Sequence, residues 1–166
     1  MKSNKCMICG WHCGANLCSY HSFFYIWDSS LQGFRLKKRI SGSRYLQGKY
    51  HKSEISLTKN IESFYGKSKI VTSFHPIWAL GSKGVLYEYD IHIKDTKILI
   101  EYNGIQHYQF TKFFHKRENK FLKQQFRDKD KELLAKENGF RLIIFKYDEP
   151  SFKEYIIQKI EEQNDN

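Results

Sequence analysis

Residues 89–104 read YDIHIKDTKILIEYNG, two runs rich in isoleucine that each carry one acid, Asp90 and Glu101. Centring a turn on Asp95 and Thr96 pairs Ile91 with Ile100 and Ile93 with Ile98, which gathers all four isoleucines on one face. The same register sets Asp90 directly opposite Glu101 on the other face. Opposed residues hold their β-carbons roughly 4.5–5.5 Å apart, and like charges there repel. Three arrangements relieve the repulsion: a shared proton, an intervening Lys or Arg, or a divalent cation. The last would make the pair a metal site, since a hard divalent cation takes oxygen ligands.

A second constellation lies at the other end of the chain. Cys6, Cys9, Cys13 and Cys18 all lie within the first eighteen residues, no cysteine follows, and His21 comes three positions after Cys18. Cys6-x2-Cys9 and Cys18-x2-His21 have the paired spacing of a structural zinc site, with His12 and Cys13 as alternative ligands. Three thiolates and an imidazole close a tetrahedron and leave no position open for catalysis. A cluster of reduced thiols is the plainer alternative.

The elements that must carry these groups follow from pattern and punctuation. Ser53 is placed to cap a helix from Glu54 to about Tyr65, with Gly66 as its stop. Strands are expected over 69–75, 85–93 and 98–103. A helix should run from about Phe113 to Asn138, stopped by Gly139, and then a buried strand from Phe140 to Tyr147. Pro150 opens a last helix to about Glu162. Helices around a small mixed sheet predict an α/β or α+β core over 53–166, preceded by a zinc-binding module (1–28) and a basic linker (29–52). On the long helix, Leu122, Phe126 and Leu133 share a stripe with Asp130, so that stripe is either exposed or gives Asp130 a partner. Asp128 and Lys131 read as a surface ion pair.

Lys and Arg number 28 against 18 Asp and Glu, a formal net charge of +10, which points to a polyanionic partner, nucleic acid first. No acid occurs between Asp28 and Glu54, whereas Arg35, Lys37, Lys38, Arg39, Arg44, Lys49 and Lys52 do, with Phe34, Tyr45 and Tyr50 among them. Such a stretch suits phosphates and bases, or a solvated linker. No apolar run nears the ~20 residues of a membrane span, and MKSNKC lacks a signal peptide's apolar core. The expectation is an intracellular protein with reduced thiols and no membrane partner.

The ordered set Glu54, Asp90, Glu101-Tyr102-Asn103-Gly104-Ile105-Gln106-His107 and the helix segment Asp128-x-x-Lys131, followed by an apolar strand, resembles the PD-(D/E)XK nuclease superfamily. The resemblance covers about residues 52–148 and is nearest to the very-short-patch-repair-like nucleases and the homing endonucleases of phages and large viruses. It implies a restriction-endonuclease-like core and a metal-dependent DNA endonuclease, of homing or mismatch-nicking type, acting on double-stranded DNA. Asp90, Glu101 and the carbonyl of Tyr102 would hold Mg²⁺ or Mn²⁺, with Glu54 as a further ligand. Asn103 stands where that superfamily has lysine, or aspartate in this branch. Water activation would then pass to His107, with Gln106 orienting water or phosphate, or to Lys131. A non-catalytic zinc protein with a degenerate nuclease core is the alternative function, and an RNA nuclease a further one. The oligomeric state is left open, a dimer included.

Overall fold

The computed structural model describes residues 5–8, 17, 25–36, 52–110 and 118–162. Its elements are β1 (Tyr25–Asp28), β2 (Gly33–Leu36), α1 (Lys52–Tyr65), β3 (Ile70–Pro76), β4 (Tyr89–Ile93), β5 (Ile98–Asn103), α2 (Glu118–Glu137), β6 (Arg141–Lys146) and α3 (Lys153–Glu162). The six strands lie in chain order in one sheet, antiparallel except for the parallel pair β5 and β6. The fold is α+β with a mixed sheet.

Alternation along β4 and β5 divides the apolar residues into two layers. Ile91, Ile93, Ile98 and Ile100 pack with Leu57 and Ile61 of α1 and Ile156, Ile157 and Ile160 of α3. Val71, Phe74, Tyr89 and Leu99 form the other layer, which α2 meets through Ala135. The stripe Leu122, Phe126 and Leu133 is exposed, and Asp130 accepts a hydrogen bond from the Tyr87 hydroxyl at 3.0 Å. Both resolutions of the misplaced aspartate therefore hold. The end of α2 follows from Gly139, whose φ of 71° lets Phe140 N–H reach the Ala135 carbonyl at 2.8 Å.

Several elements differ from the sequence reading. Ser53 lies inside the first turn of α1 instead of preceding it. The strand expected over 85–93 begins only at Tyr89, because the preceding residues turn back: Leu80 bridges Leu86, and Tyr87 N–H reaches the Ala79 carbonyl at 2.7 Å. The β1–β2 hairpin was not expected. It spans the anticipated boundary at residue 28 and joins the sheet through Gly33↔Pro76 and Phe34↔His75.

Gly33 is the tightest point of that junction. A β-carbon there would stand 2.6 Å from the Phe74 ring, 2.7 Å from the His75 carbonyl oxygen and 2.8 Å from the Pro76 α-carbon. Backbone atoms cannot yield as a flexible side chain does. Gly33→Ala is therefore expected to cost about 1–3 kcal/mol, read as a lower midpoint in a thermal melt; an unchanged midpoint would mean that the hairpin is not seated as described.

Candidate active site

The β4–β5 ladder pairs Ile93 with Ile98, His92 with Leu99 and Ile91 with Ile100, the register the isoleucines require. It stops one pair short of the acids. Asp90 turns its Oδ2 to accept the main-chain N–H of Tyr102 at 2.8 Å. The cause lies on β3. Ser73 adopts a φ of 50°, so Phe74 joins the apolar layer of Val71 instead of the opposite one. Tyr89 crosses with it, while Ile91 stays in the layer of α1 and α3. Ser73 and Asp90 sit at this change of face, between the pairs Thr72↔Ile91 and Phe74↔Tyr89.

Glu101 is buried, and its Oε1 accepts from the Lys131 ammonium of α2 at 2.5 Å. The main chain of Lys131 is fixed as well, because the Tyr89 hydroxyl donates to its carbonyl at 2.8 Å. An intervening lysine is thus one relief of the carboxylate repulsion that the fold supplies. It does not remove the strain. Burial pushes the Asp90 carboxyl up, against the pull of Lys131 and the Tyr102 N–H. Burial likewise pushes Glu101 up, to about 8, with Lys131 opposing and the charge of Asp90 adding. Glu88 adds to the rise of both.

The raised Glu101 has a measurable consequence. Its ordinary value is 4.5, so between there and about 8 the folded protein holds a proton that the unfolded chain has released. Stability from this group is lost as pH rises through that window. In EDTA, the melting-point difference between Glu101→Gln and wild type should move in the variant's favour from pH 5 to pH 8. A difference independent of pH would mean that Glu101 titrates as in the unfolded chain.

His107 closes a single 3₁₀ turn, Ile105–His107, directly after β5. Its Nδ1 lies 2.8 Å from Asp128 Oδ2. With Nδ1–H donating to that carboxylate, Nε2 keeps its lone pair. The expected Asp128–Lys131 surface pair is therefore corrected: Asp128 serves His107, and Lys131 serves Glu101. The two residues stand close in sequence but reach different partners across the cleft.

One cleft of about 1030 Å³ brings together Glu54, Asp90, Glu101, Tyr102, Gln106, His107 and Lys131. Asn103 is buried and shares a hydrogen bond with the Tyr108 hydroxyl. Asp90 Oδ1 and Glu101 Oε2 keep no hydrogen-bond partner among the described residues. These two oxygens and a main-chain carbonyl make an all-oxygen donor set, which suits Mg²⁺ or Mn²⁺. No group of three His, Cys, Asp or Glu side chains among the described residues is arranged to hold a metal. A cation here would lean on two carboxylates, the carbonyl, water and a substrate phosphate, which is how Mg²⁺ is commonly held.

Comparison with known proteins gives two relatives. The chain is 36% identical over 73 residues to "Uncharacterized protein 307L" of Invertebrate iridescent virus 6, a match covering 44% of this chain and 37% of that protein. It is 46% identical over 48 residues to "Uncharacterized protein 033L" of Invertebrate iridescent virus 3, covering 29% of this chain and 25% of that protein. Both relatives are viral. The chain thus spans well under half the length of the curated relatives it matches. No protein-family model and no solved structure matches it.

The other expected sites are only partly visible. Cys6 is buried, whereas Cys9, Cys18, His21 and the alternates His12 and Cys13 lie outside the described residues. Lys37, Lys38, Arg39, Arg44 and Lys49 lie outside them too, and Lys52 opens α1. Arg35 is engaged, since its Nε donates to Asp28 Oδ2 at 2.7 Å. Ser30 and Arg35 together hold the Asp28 carboxyl down at about 2. Lys120, Lys123 and Arg127 on α2, to which sequence alone assigns no nucleic-acid contact, also line the cleft, beside Phe126, which is 70% exposed. The signal was present as helical spacing, because Lys120, Lys123, Arg127 and Lys131 recur every three or four residues. No helix among the described residues is long and apolar enough to cross a membrane.

Proposed function

We propose that this protein is a metal-dependent endonuclease that hydrolyses phosphodiester bonds of double-stranded DNA, built on a PD-(D/E)XK-like core. One observation carries the reading: two carboxylates of raised pKa, a lysine and a carboxylate-bound histidine converge on one cleft whose α2 wall is basic. Buried acids held this close stabilise nothing in themselves, and sites of this kind are where function concentrates. The mixed sheet with helices on both faces and the order of the motif residues support the same reading. The viral relatives support a protein that works in an infected host cell.

In this mechanism the phosphates of DNA lie along Lys120, Lys123 and Arg127, which neutralise them without reading sequence. Asp90, Glu101 and the Tyr102 carbonyl would hold Mg²⁺ or Mn²⁺, with Glu54, which lines the same cleft, as a further metal or water ligand. The ion, when bound, supplies charge to the phosphate oxygens and acidity to a water. His107 takes the proton of the attacking water on Nε2, and Asp128 holds the ring and steadies the imidazolium that forms. Water oxygen bonds to phosphorus as the bond to the leaving oxygen breaks. Lys131 offers a positive charge beside the phosphate, and Gln106 can orient water. A structural Zn²⁺ on Cys6, Cys9, Cys18 and His21 belongs to the same proposal and rests on spacing.

Supercoiled plasmid incubated with the protein and Mg²⁺ should be nicked or linearised, and EDTA should stop the reaction. Buried Asn103, bonded to Tyr108 and not to the cleft acids, favours a second reading, a DNA-binding protein without catalysis. DNA binding without any Mg²⁺-dependent cleavage would select that reading over the first.

A further inference from the structure

A second cavity, of about 330 Å³, lies where β5 and β6 begin and α2 ends. Its wall carries Lys97, Lys136 and Arg141, with Tyr65, Thr96 and Phe140 between them, and no acid. Arg141 stands out. Its main chain is fixed by the bond from its N–H to the Lys97 carbonyl at 2.7 Å. Its side chain is half-buried, and Nη1 is shut away from water without a hydrogen-bond partner. A guanidinium in that state is costly unless an anion compensates it. Asp95 is paired with Lys69, and Glu161 acts on the Tyr65 hydroxyl. Lys97 rests over the Phe140 ring at 4.4 Å, a position that keeps its charge at the cavity.

We propose that this cavity is an anion site that takes a phosphoryl group, held by Arg141 with Lys97 and Lys136. Arginine's planar fork matches a phosphate's oxygens, and two flexible ammonium groups complete the charge balance. The cavity is lined by none of the acids proposed for catalysis, so the inference stands whether or not the protein cleaves DNA. The phosphoryl group has two possible sources, a small phosphate compound or the backbone of a nucleic acid, and they share this chemistry.

Thermal melts at constant ionic strength test it, with NaCl replaced by sodium phosphate, by dAMP or by a short DNA duplex in EDTA. Inorganic phosphate at tens of millimolar should raise the melting point by about 3 °C over the NaCl control. Arg141→Met should abolish that rise. Lys136→Ala, at the exposed end of α2, should at least halve it with no change in fold, which guards against misfolding of the first variant. A larger rise with dAMP than with phosphate points to a small nucleotide, and a rise only with duplex to the nucleic-acid backbone; loss of either in both variants supports the site. No phosphate-specific rise with any of the three ligands, or a rise that survives both substitutions, overturns it.

Discussion

Asp90→Asn and Glu101→Gln, each alone, are expected to lower the rate of Mg²⁺-dependent DNA cleavage by about 10³-fold or more. Each removes one anionic oxygen ligand, and a correctly held cation contributes several kcal/mol at the transition state. The variants should nevertheless bind DNA in EDTA at least as tightly as wild type, because neither adds negative charge to a cleft lined by Lys120, Lys123 and Arg127. His107→Ala should lose about 10²–10⁴-fold, the range for a general base. Cleavage at wild-type rate by either carboxylate variant would remove the proposed site. Weakened DNA binding would show that the fold, and not the chemistry, had been damaged.

The largest expected effect on stability belongs to Lys131. Its ammonium and the Glu101 carboxylate are both nearly enclosed, with side-chain exposures of 12% and 10%. Lys131→Met leaves two adjacent carboxylates without their cation, and removing one partner of a buried pair costs about 3–5 kcal/mol. The loss should be greater at pH 8 than at pH 6, since Glu101 stands at about 8 and is protonated below it. Millimolar Mg²⁺ should restore part of the lost stability, because an ion on Asp90 and Glu101 replaces the missing charge. Chemical denaturation with and without Mg²⁺ measures both. A variant as stable as wild type in EDTA would show that Lys131 does not balance these acids.

The sequence made the hairpin legible because strand geometry has a period of two residues: only one register places Ile91, Ile93, Ile98 and Ile100 together, and that register is observed. The bounds of β5 follow for the same reason, with Gly104 ending the run. What sequence could not supply was the change of face at Ser73. A positive φ at a serine has no local signature, and it is this twist that turns Asp90 toward the Tyr102 N–H. The His107–Asp128 pair was equally hidden. Its members stand 21 positions apart, and helical spacing offered Lys131 as the nearer partner of Asp128. The β1–β2 hairpin was masked by charge, since Arg35 and the cations after it read as an arm, although Arg35 is tied to Asp28 across the hairpin.

The two faces of the sheet are fastened by different physics. α1 and α3 adhere through leucine and isoleucine, whose attachment carries no charge for an electrolyte to screen. α2 buries only Ala135 and is moored chiefly by Tyr87, Tyr89, Glu101 and His107 to its own acids, a lysine and a carbonyl. Water and electrolyte compete for such moorings. The molecule therefore has a firm side and a side that can give way, and the yielding side is the one that bounds the cleft of Asp90 and Glu101.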